Sequence, residues 1–469
     1  MLWRKKKPMW FGLAAGRGTN MIWKQLSNLP FCIYGAGIVA MSAYTAIKAL
    51  YDERPLFFLI SDSEDLAAGD GEKIGFNLKK TNGVPVKNLS EWKRELNEAK
   101  LREREQQYRR KGNFESNITI PELYLVAVPE IHHASIVKSL RELQIKEENI
   151  ILFTNRREND LMEAYYSNVE GYRTIKRILP SEKTQRQTKE NANFLDTENI
   201  AMGKKPGDCR NRDSGLHKED GRSEKPEKSA EAFLAENFRV YQAKSHMDKP
   251  LSRHNILSGM PSYIFPIQVG SALTERIICD LQDNADDTIS EKNRNYCELT
   301  ATYYAWKHGN APYKGICHYR RIFDISDEQM QELLKAADKW DVILPYPSVH
   351  YPDISVQHTR YIREDDWNAM LQALGELEPE YLEAYEKSVL TGEKFFNNFN
   401  MLIAKAAVFD DYCSFLFRIL ERTEELTTPK GWEREDRFAG YLGENLTTLY
   451  FLKNRDRCKT LYAGKIWMT

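Results

Sequence analysis

The chain has 469 residues, 42% of them hydrophobic and 11% aromatic, with 67 basic against 68 acidic side chains. That is material for two or three cores of ordinary size, and the charge balance excludes a globally basic nucleic-acid-binding protein. The seven cysteines (Cys32, Cys209, Cys279, Cys297, Cys317, Cys413 and Cys458) are odd in number and widely spaced; this excludes a Cys-x-x-Cys zinc or redox centre and fits small core residues in a reducing compartment.

The opening, MLWRKKKPMWFGLAAG, sets a basic cluster beside Trp10, Phe11 and Leu13. Its apolar run is too short for a signal peptide, and no run in the sequence reaches bilayer-crossing length. Residues 1–29 read as a flexible tail, with Met1 and Met21 both open as the start; the cluster also suits peripheral contact with an anionic membrane surface.

Residues 30–179 follow. Apolar strands at 30–34, 56–60, 123–128 and 150–153 alternate with helices over 39–51 and 133–143, which predicts a parallel, Rossmann-like sheet. Residues 155–179 are ambiguous and are assigned to the close of this domain. Gly35-Ala36-Gly37 follows the first strand and opens a helix, with Ala40 in place of a third glycine. Small residues here permit a tight turn and close approach of backbone to phosphate, and Asp62 ends the second strand where an acid can accept from a ribose hydroxyl. Gly35, Gly37 and Asp62 are therefore candidate nucleotide-binding residues, although the same glycines would serve simply to pack the helix on the sheet. His132 and His133 read as solvated loop residues. With Asn82-Gly83-Val84-Pro85-Val86, this region resembles the small Rossmann-like domain attached to sugar-modifying enzymes of surface polysaccharide pathways.

Residues 180–232 read as a disordered linker, since 180–229 is highly polar with Phe194 its one aromatic and cannot bury enough apolar surface to offset chain entropy. A second α/β domain, 233–469, opens on a strand beginning at Phe238. Three of its segments carry chemistry. In the first, Ser290 is a helix N-cap and Tyr296, Leu299, Tyr303 and Trp306 form a core stripe. The open N–H groups of that helix start, with Lys292, Asn293 and Arg294, would hold a diphosphate, unless these are ordinary exposed first-turn residues. In the second, Tyr313 to Asp324, continuous strand alternation puts Ile316, His318, Arg320 and Ile322 on one face and Cys317, Tyr319, Arg321 and Phe323 on the other. Two arginines and a histidine there need partners: carboxylates such as Asp324, Glu298 or Glu444, or an anionic sugar nucleotide, whose phosphate a guanidinium grips with two donors. In the third, Phe395 to Ala404, Asn398 and Asn400 offer amides that match sugar hydroxyls, ahead of a core helix carrying Val408, Phe409, Tyr412, Leu416, Ile419 and Leu420.

Together these segments resemble a bacterial family found with capsule and exopolysaccharide genes and long labelled a domain of unknown function. The residues that carry the resemblance are Pro266-Ile267-Gln268-Val269-Gly270, Ser290 with Lys292-Asn293, Tyr296-Cys297-Glu298-Leu299-Thr300, Cys317-His318-Tyr319-Arg320-Arg321, Asn400-Met401, Arg437 with Gly440-Tyr441-Leu442 and Glu444, and His246. The resemblance implies a nucleotide-diphospho-sugar transferase (GT-A-like) α/β fold and a cytoplasmic glycosyltransferase, peripheral at the inner membrane face. It implies a nucleotide-diphospho-sugar donor, a lipid-linked saccharide acceptor and no nucleic acid. His246, Ser290, Lys292, Asn293, Arg320 and Arg321 are then donor-binding candidates, Asn398 and Asn400 acceptor-binding, and Glu444, His318 and Asp324 catalytic. Enzymes of that fold usually carry Asp-x-Asp for Mn²⁺ or Mg²⁺. Here the comparable strand ends in His-Tyr-Arg-Arg, and Asp338 and Asp341 do not fit cleanly. Either the arginines replace the metal or Asp324 with His318 helps hold one. An NAD(P)-dependent sugar-nucleotide modifying enzyme and a non-catalytic saccharide-binding protein are the competing readings. Because the transferase-type motifs all follow Phe238, residues 235–469 alone are expected to retain donor binding.

Overall fold

The computed structural model describes residues 29–62, 80, 81, 83–108, 119–179, 230–251 and 259–468. The expected tail and nearly all of the expected linker lie outside them, except that residues 230–232 already belong to a helix, Ala230–Asn237.

The first sheet contains β1 (Phe31–Tyr34), β2 (Phe58–Ile60), β3 (Lys80–Thr81), β4 (Val84–Asn88), β5 (Leu123–Val126) and β6 (Ile150–Leu152). Its order is β3-β4-β2-β1-β5-β6, parallel except for the short edge strand β3. The helices are α1 (Ile38–Tyr51), α2 (Leu89–Tyr108), α3 (His133–Glu142) and α4 (Asn155–Tyr166). The strands are apolar on both faces because both faces are covered. Cys32, Tyr34, Tyr124 and Val126 pack with Trp92 and Leu96 of α2 and Ile136 and Leu140 of α3. Phe31, Ile33, Leu123 and Leu125 point the other way, toward α1 and α4. This is the Rossmann-like sheet expected from the alternating pattern.

The second sheet begins after α5 (Ala230–Asn237). It contains β7 (Phe238–Lys244), β8 (Ile264–Gln268), β9 (Tyr313–His318), β10 (Arg321–Phe323), β11 (Val342–Pro345), β14 (Leu402–Lys405), β15 (Thr460–Ala463) and β16 (Lys465–Trp467). β12 (Ser348–Val349) and β13 (Phe395–Phe396) form a separate ribbon. The main order is β8-β7-β9-β14-β11-β15, with β7, β8 and β9 parallel and β14 antiparallel to both its neighbours. Helices α6 (Asn293–Tyr296), α7 (Leu299–His308), α8 (Asp327–Lys335), α9 (His358–Tyr361), α10 (Glu364–Leu377), α11 (Pro379–Leu390), α12 (Ala406–Leu426) and α13 (Phe438–Lys453) complete the fold. α7, α12 and α13 cover one face of this mixed sheet, while Leu234 of α5 and Met330 and Leu333 of α8 close the other.

The helix face carrying α1 and α4 is continuous with the core of the second sheet. Tyr166 donates to the Pro347 carbonyl at 2.8 Å and stacks on Tyr346 at 5.5 Å between ring centroids. Tyr172, Phe395 and Tyr462 complete that aromatic cluster. Tyr346 donates to Glu163, and Thr174 forms a parallel bridge to Tyr462. Residues 155–179 thus close the first sheet and also line the second. Removing residues before 235 would strip apolar cover from the second core, which argues against the expectation that residues 235–469 suffice by themselves.

Gly35 has φ +116°, and a Cβ there would stand 2.7 Å from the Ala127 carbonyl oxygen; nothing lies within 4 Å of a Cβ at Gly37. Gly35→Ala is expected to cost about 2–5 kcal/mol through backbone strain and overpacking, and Gly37→Ala under about 1 kcal/mol. Thermal or urea unfolding of the two single variants checks this, and equal losses would contradict it.

Candidate functional site

The parallel strands β7, β8 and β9 deliver Lys244, Gln268 and His318 to one edge of the second sheet, the edge at which open α/β sheets bind ligands. β9 does not continue through the arginines as alternation predicted. The chain reverses at Tyr319 and Arg320, and β10 returns with Arg321 opposite His318. β16 pairs with β10 and sets Trp467 opposite Arg321. The Arg321 guanidinium then lies 4.1 Å from the ring centres of both Phe399 and Trp467. Its Nε is buried without a partner, and among the described residues no hydrogen bond or ion pair to this guanidinium is formed. A cation between two π faces is favourable, but its outer donors remain uncommitted.

Two carboxylates approach the same guanidinium. Glu444 accepts from the Phe399 N–H at 2.9 Å and from Gln357 Nε2 at 3.1 Å. Glu298 accepts from Asn400 Nδ2 at 2.9 Å. The Phe399 and Asn400 donors come from the loop between β13 and β14, where these residues hold φ of 75° and 48°. That left-handed backbone is costly for phenylalanine and persists only when surroundings fix it; the bond to Glu444 is one such constraint. Gly443 makes room, since a Cβ there would meet Asn400 Oδ1 at 3.1 Å and Leu299 Cδ1 at 2.7 Å.

These surroundings set the charge states. Burial, then the charge of Glu298, pushes the Glu444 carboxyl up to about 7, against the opposing pull of the Phe399 N–H, Arg321 and Gln357. Burial, followed by Arg321, Arg437 and Arg320, drives His318 well below the ordinary imidazole range, so it is neutral at pH 7. Its Nδ1 accepts from the Arg320 N–H at 3.4 Å, leaving Nε2 as the protonated nitrogen. Asp248, just past β7, is raised to about 6 by burial despite the Ser245 N–H and the charges of Arg320, Arg437 and Lys244. Arg437 Nε meets Cys297 Sγ at 3.2 Å. The floor thus carries Lys244, Arg320, Arg321 and Arg437 against three carboxyl groups, two of which hold protons well above their ordinary range. It is a cationic cluster beside a carboxyl raised to about 7.

The structure brings His318, Arg320, Arg321 and Glu444 together and places His246, half-buried with Nδ1 unpartnered, just beyond β7. Other expected site residues are otherwise engaged. The helix expected from Ser290 is interrupted at Cys297, which has φ 50°, and Ser290 is fully buried, donating to Asp283 at 2.5 Å. Lys292 pairs with Glu424 at 2.6 Å, and Asn293 donates to the Cys297 carbonyl at 2.7 Å. These three brace the fold instead of opening a helix N-terminus to phosphate. Asn398 and Asn400 are 6% and 1% exposed; Asn398 accepts from Ser348 at 2.5 Å, and Asn400 is held by Glu298 and the Gly440 carbonyl. Packing turns both largely inward, with the Asn398 Oδ1 and the Asn400 amide engaged inside the protein.

Asp324 accepts from Asn159 Nδ2 at 2.7 Å. Among the described residues no three His, Cys, Asp or Glu side chains cluster as a metal site. Asp341 is tied to Lys405 at 2.8 Å. In the first sheet, Gly35 and Gly37 flank the expected crevice, but Asp62 accepts from the Ser90 N–H at 3.0 Å and Oγ at 2.5 Å. It caps α2 and is not left open for a ribose. His133 is buried against the Val128 carbonyl at 3.0 Å and not solvated as expected. Sequence reasoning missed Phe399, Trp467, Gln357 and Asp248. No local pattern marks them, since each acquires its role from pairing distant segments.

Residues 252–455 match the profile of a family described as a domain of unknown function, DUF4422. No curated protein is significantly similar to the chain. Among solved structures, one titled as the apo form of the WbbM bifunctional glycosyltransferase aligns at 23% identity and TM-score 0.40, over 50% of this chain and 45% of that one. The match therefore spans less than half the length of that protein.

A carboxyl raised from its ordinary value to about 7 favours the protonated folded state: the folded protein binds more protons than the unfolded one between about pH 4.5 and 7. Its contribution is thus fully present below pH 4.5 and lost as pH rises through 7. Unfolding measured across pH 4–9 should show the parent losing stability relative to Glu444→Gln over that window. Parallel curves would contradict the assignment.

Proposed function

We propose that the chain transfers a sugar from a nucleotide-diphosphate donor to a saccharide acceptor. The single observation that carries this reading is Arg321: a guanidinium clamped between Phe399 and Trp467, with no hydrogen-bonded carboxylate and with a carboxyl of pKa about 7 close by. Such a guanidinium is a two-pronged receptor for phosphate oxygens.

In the transfer, the acceptor hydroxyl oxygen attacks the anomeric carbon while its proton passes to the Glu444 carboxylate. The bond from the anomeric carbon to the diphosphate oxygen breaks, and its electron pair leaves on the diphosphate. Negative charge accumulates there, and Arg321, with Arg320 and Arg437 alongside, lowers the barrier by facing it in a partly dried pocket. His318, neutral, donates from Nε2 without adding charge. A divalent metal would supply the same neutralisation that the arginines give in this reading.

The residue pattern around Cys317-His318-Tyr319-Arg320-Arg321 and Glu444 supports placement in capsule or exopolysaccharide synthesis, with a lipid-linked acceptor at the cytoplasmic membrane face. No helix among the described residues is long and apolar enough to cross a membrane. The oxidoreductase reading is weakened by Asp62, whose carboxylate is engaged by Ser90.

Arg321→Lys keeps charge but loses the fork and the planar stack. A charge-assisted hydrogen bond is worth on the order of 1.5–3 kcal/mol, so donor affinity or transfer rate should fall roughly tenfold to a hundredfold. Arg320→Lys tests the second arginine in the same way. Titration calorimetry with nucleoside diphosphates and initial rates across a nucleotide-sugar panel measure both. Parental binding and rates in both stable variants would remove the arginines from the site.

A transfer that needs Glu444 as a base should gain rate with pH up to about 7 and level off above it, and Glu444→Gln should remove both activity and that rise. A pH-rate profile that stays flat from pH 5.5 to 8.5 would exclude Glu444 as the base.

A further inference from the structure

β16 is an edge strand, and its outer edge is covered by a helix of the first sheet. Met468 N–H donates to the Arg320 carbonyl at 2.7 Å, and Asp324 N–H to the Gly464 carbonyl at 2.9 Å, so residues 464, 466 and 468 turn their backbone groups toward β10. Lys465 and Trp467 turn theirs outward. Both are met by side-chain amides of α4. Asn155 Nδ2 donates to the Trp467 carbonyl at 3.1 Å, and Asn155 Oδ1 accepts from the Trp467 N–H at 3.1 Å. Asn159 Nδ2 donates to the Lys465 carbonyl at 3.0 Å, and Oδ1 accepts from its N–H at 3.2 Å.

The fit is geometric. Four residues along a helix advance about 6 Å, close to the roughly 6.8 Å between alternate residues of a strand. Two asparagines one turn apart therefore act as a substitute neighbouring strand. Both are only 8% exposed. Gly464 permits the approach, since a Cβ there would stand 2.5 Å from Asn159 Cγ. A third Asn159 bond, to Asp324 just after β10, ties that strand's end to the same helix.

We propose that Asn155 and Asn159 are positioning residues for the Arg321 anion site, acting through β16 and the Trp467 ring. The inference rests on the transferase reading of that site. Without Asn155, the backbone groups of Trp467 lose both partners, β16 can shift along β10, and the ring no longer holds the guanidinium flat against Phe399. The first sheet's layer thereby completes a site whose ligand-facing groups all lie in the second.

The test measures inorganic pyrophosphate, UDP and GDP binding to the full-length chain by calorimetry, with thermal stability alongside. Asn155→Ala should weaken diphosphate binding roughly five- to twentyfold, and Trp467→Leu should do the same, while Trp467→Phe restores most of the affinity. The double variant Asn155→Ala/Trp467→Leu should bind no more weakly than Trp467→Leu, because both changes break one linkage. Tyr346→Phe, which removes the interface bond to Glu163 and touches neither Trp467 nor Asn155, should lower the melting temperature without moving affinity. If Asn155→Ala does not fold, Asn155→Asp, which keeps the acceptor for the Trp467 N–H and opposes the carbonyl, takes its place. Parental affinity in the Asn155 variant, with Arg321→Lys impaired, overturns the positioning role alone. Parental affinity in Arg321→Lys, or no diphosphate binding by the parent, overturns the site reading and this inference with it.

Discussion

A half-buried guanidinium between two aromatic faces, with no hydrogen-bonded carboxylate among the described residues, is only partly compensated. Arg321 is in that condition, and much of the surrounding structure serves to keep it there. The reversal at Tyr319 and Arg320 turns its side chain away from the strand face where alternation would have set it. Phe399 supplies one ring from a loop with left-handed backbone, and Trp467 supplies the other from a strand directly opposite. Neither Glu298 nor Glu444 closes on it, because each is already held by a donor of the Phe399–Asn400 loop. In the proposed reading, an anion from outside the chain meets the residual demand.

The same constraints couple acid-base chemistry to anion binding. Glu444 is raised by burial and by the neighbouring Glu298, while Arg321 pulls in the opposite direction. In the proposed transfer, an anion that occupies Arg321 would weaken that pull and leave Glu444 a stronger base toward the acceptor hydroxyl. In the proposed transfer, a neutral His318 would spare the site a further positive charge that would hold the diphosphate afterwards.

Much of the architecture was legible in the sequence. The first sheet could be read because its strands are continuous apolar runs bounded by Gly35 and by polar turns, and the core stripe of Tyr296, Leu299, Tyr303 and Trp306 falls on helical spacing. The hairpin after His318 could not, since Tyr319-Arg320 contains none of the glycine, asparagine or aspartate that usually marks a tight turn. Ser290 looked like a cap because serine before a polar turn usually is one; its burial on Asp283 depends on a loop that only folding brings near. Asn398 and Asn400 looked like sugar ligands because exposed amides are good ones, yet packing turned both inward. Trp467 carried no signal, because its partner Arg321 is far away in sequence and its supports, Asn155 and Asn159, lie in the other layer.

A crystal structure of the full chain with a bound nucleoside diphosphate addresses the central claim most directly. The account predicts the diphosphate within hydrogen-bonding distance of the terminal nitrogens of Arg321, with the Trp467 and Phe399 rings still flanking the guanidinium. A diphosphate seated instead at Gly35–Gly37 of the first sheet, with Arg321 untouched, would contradict it.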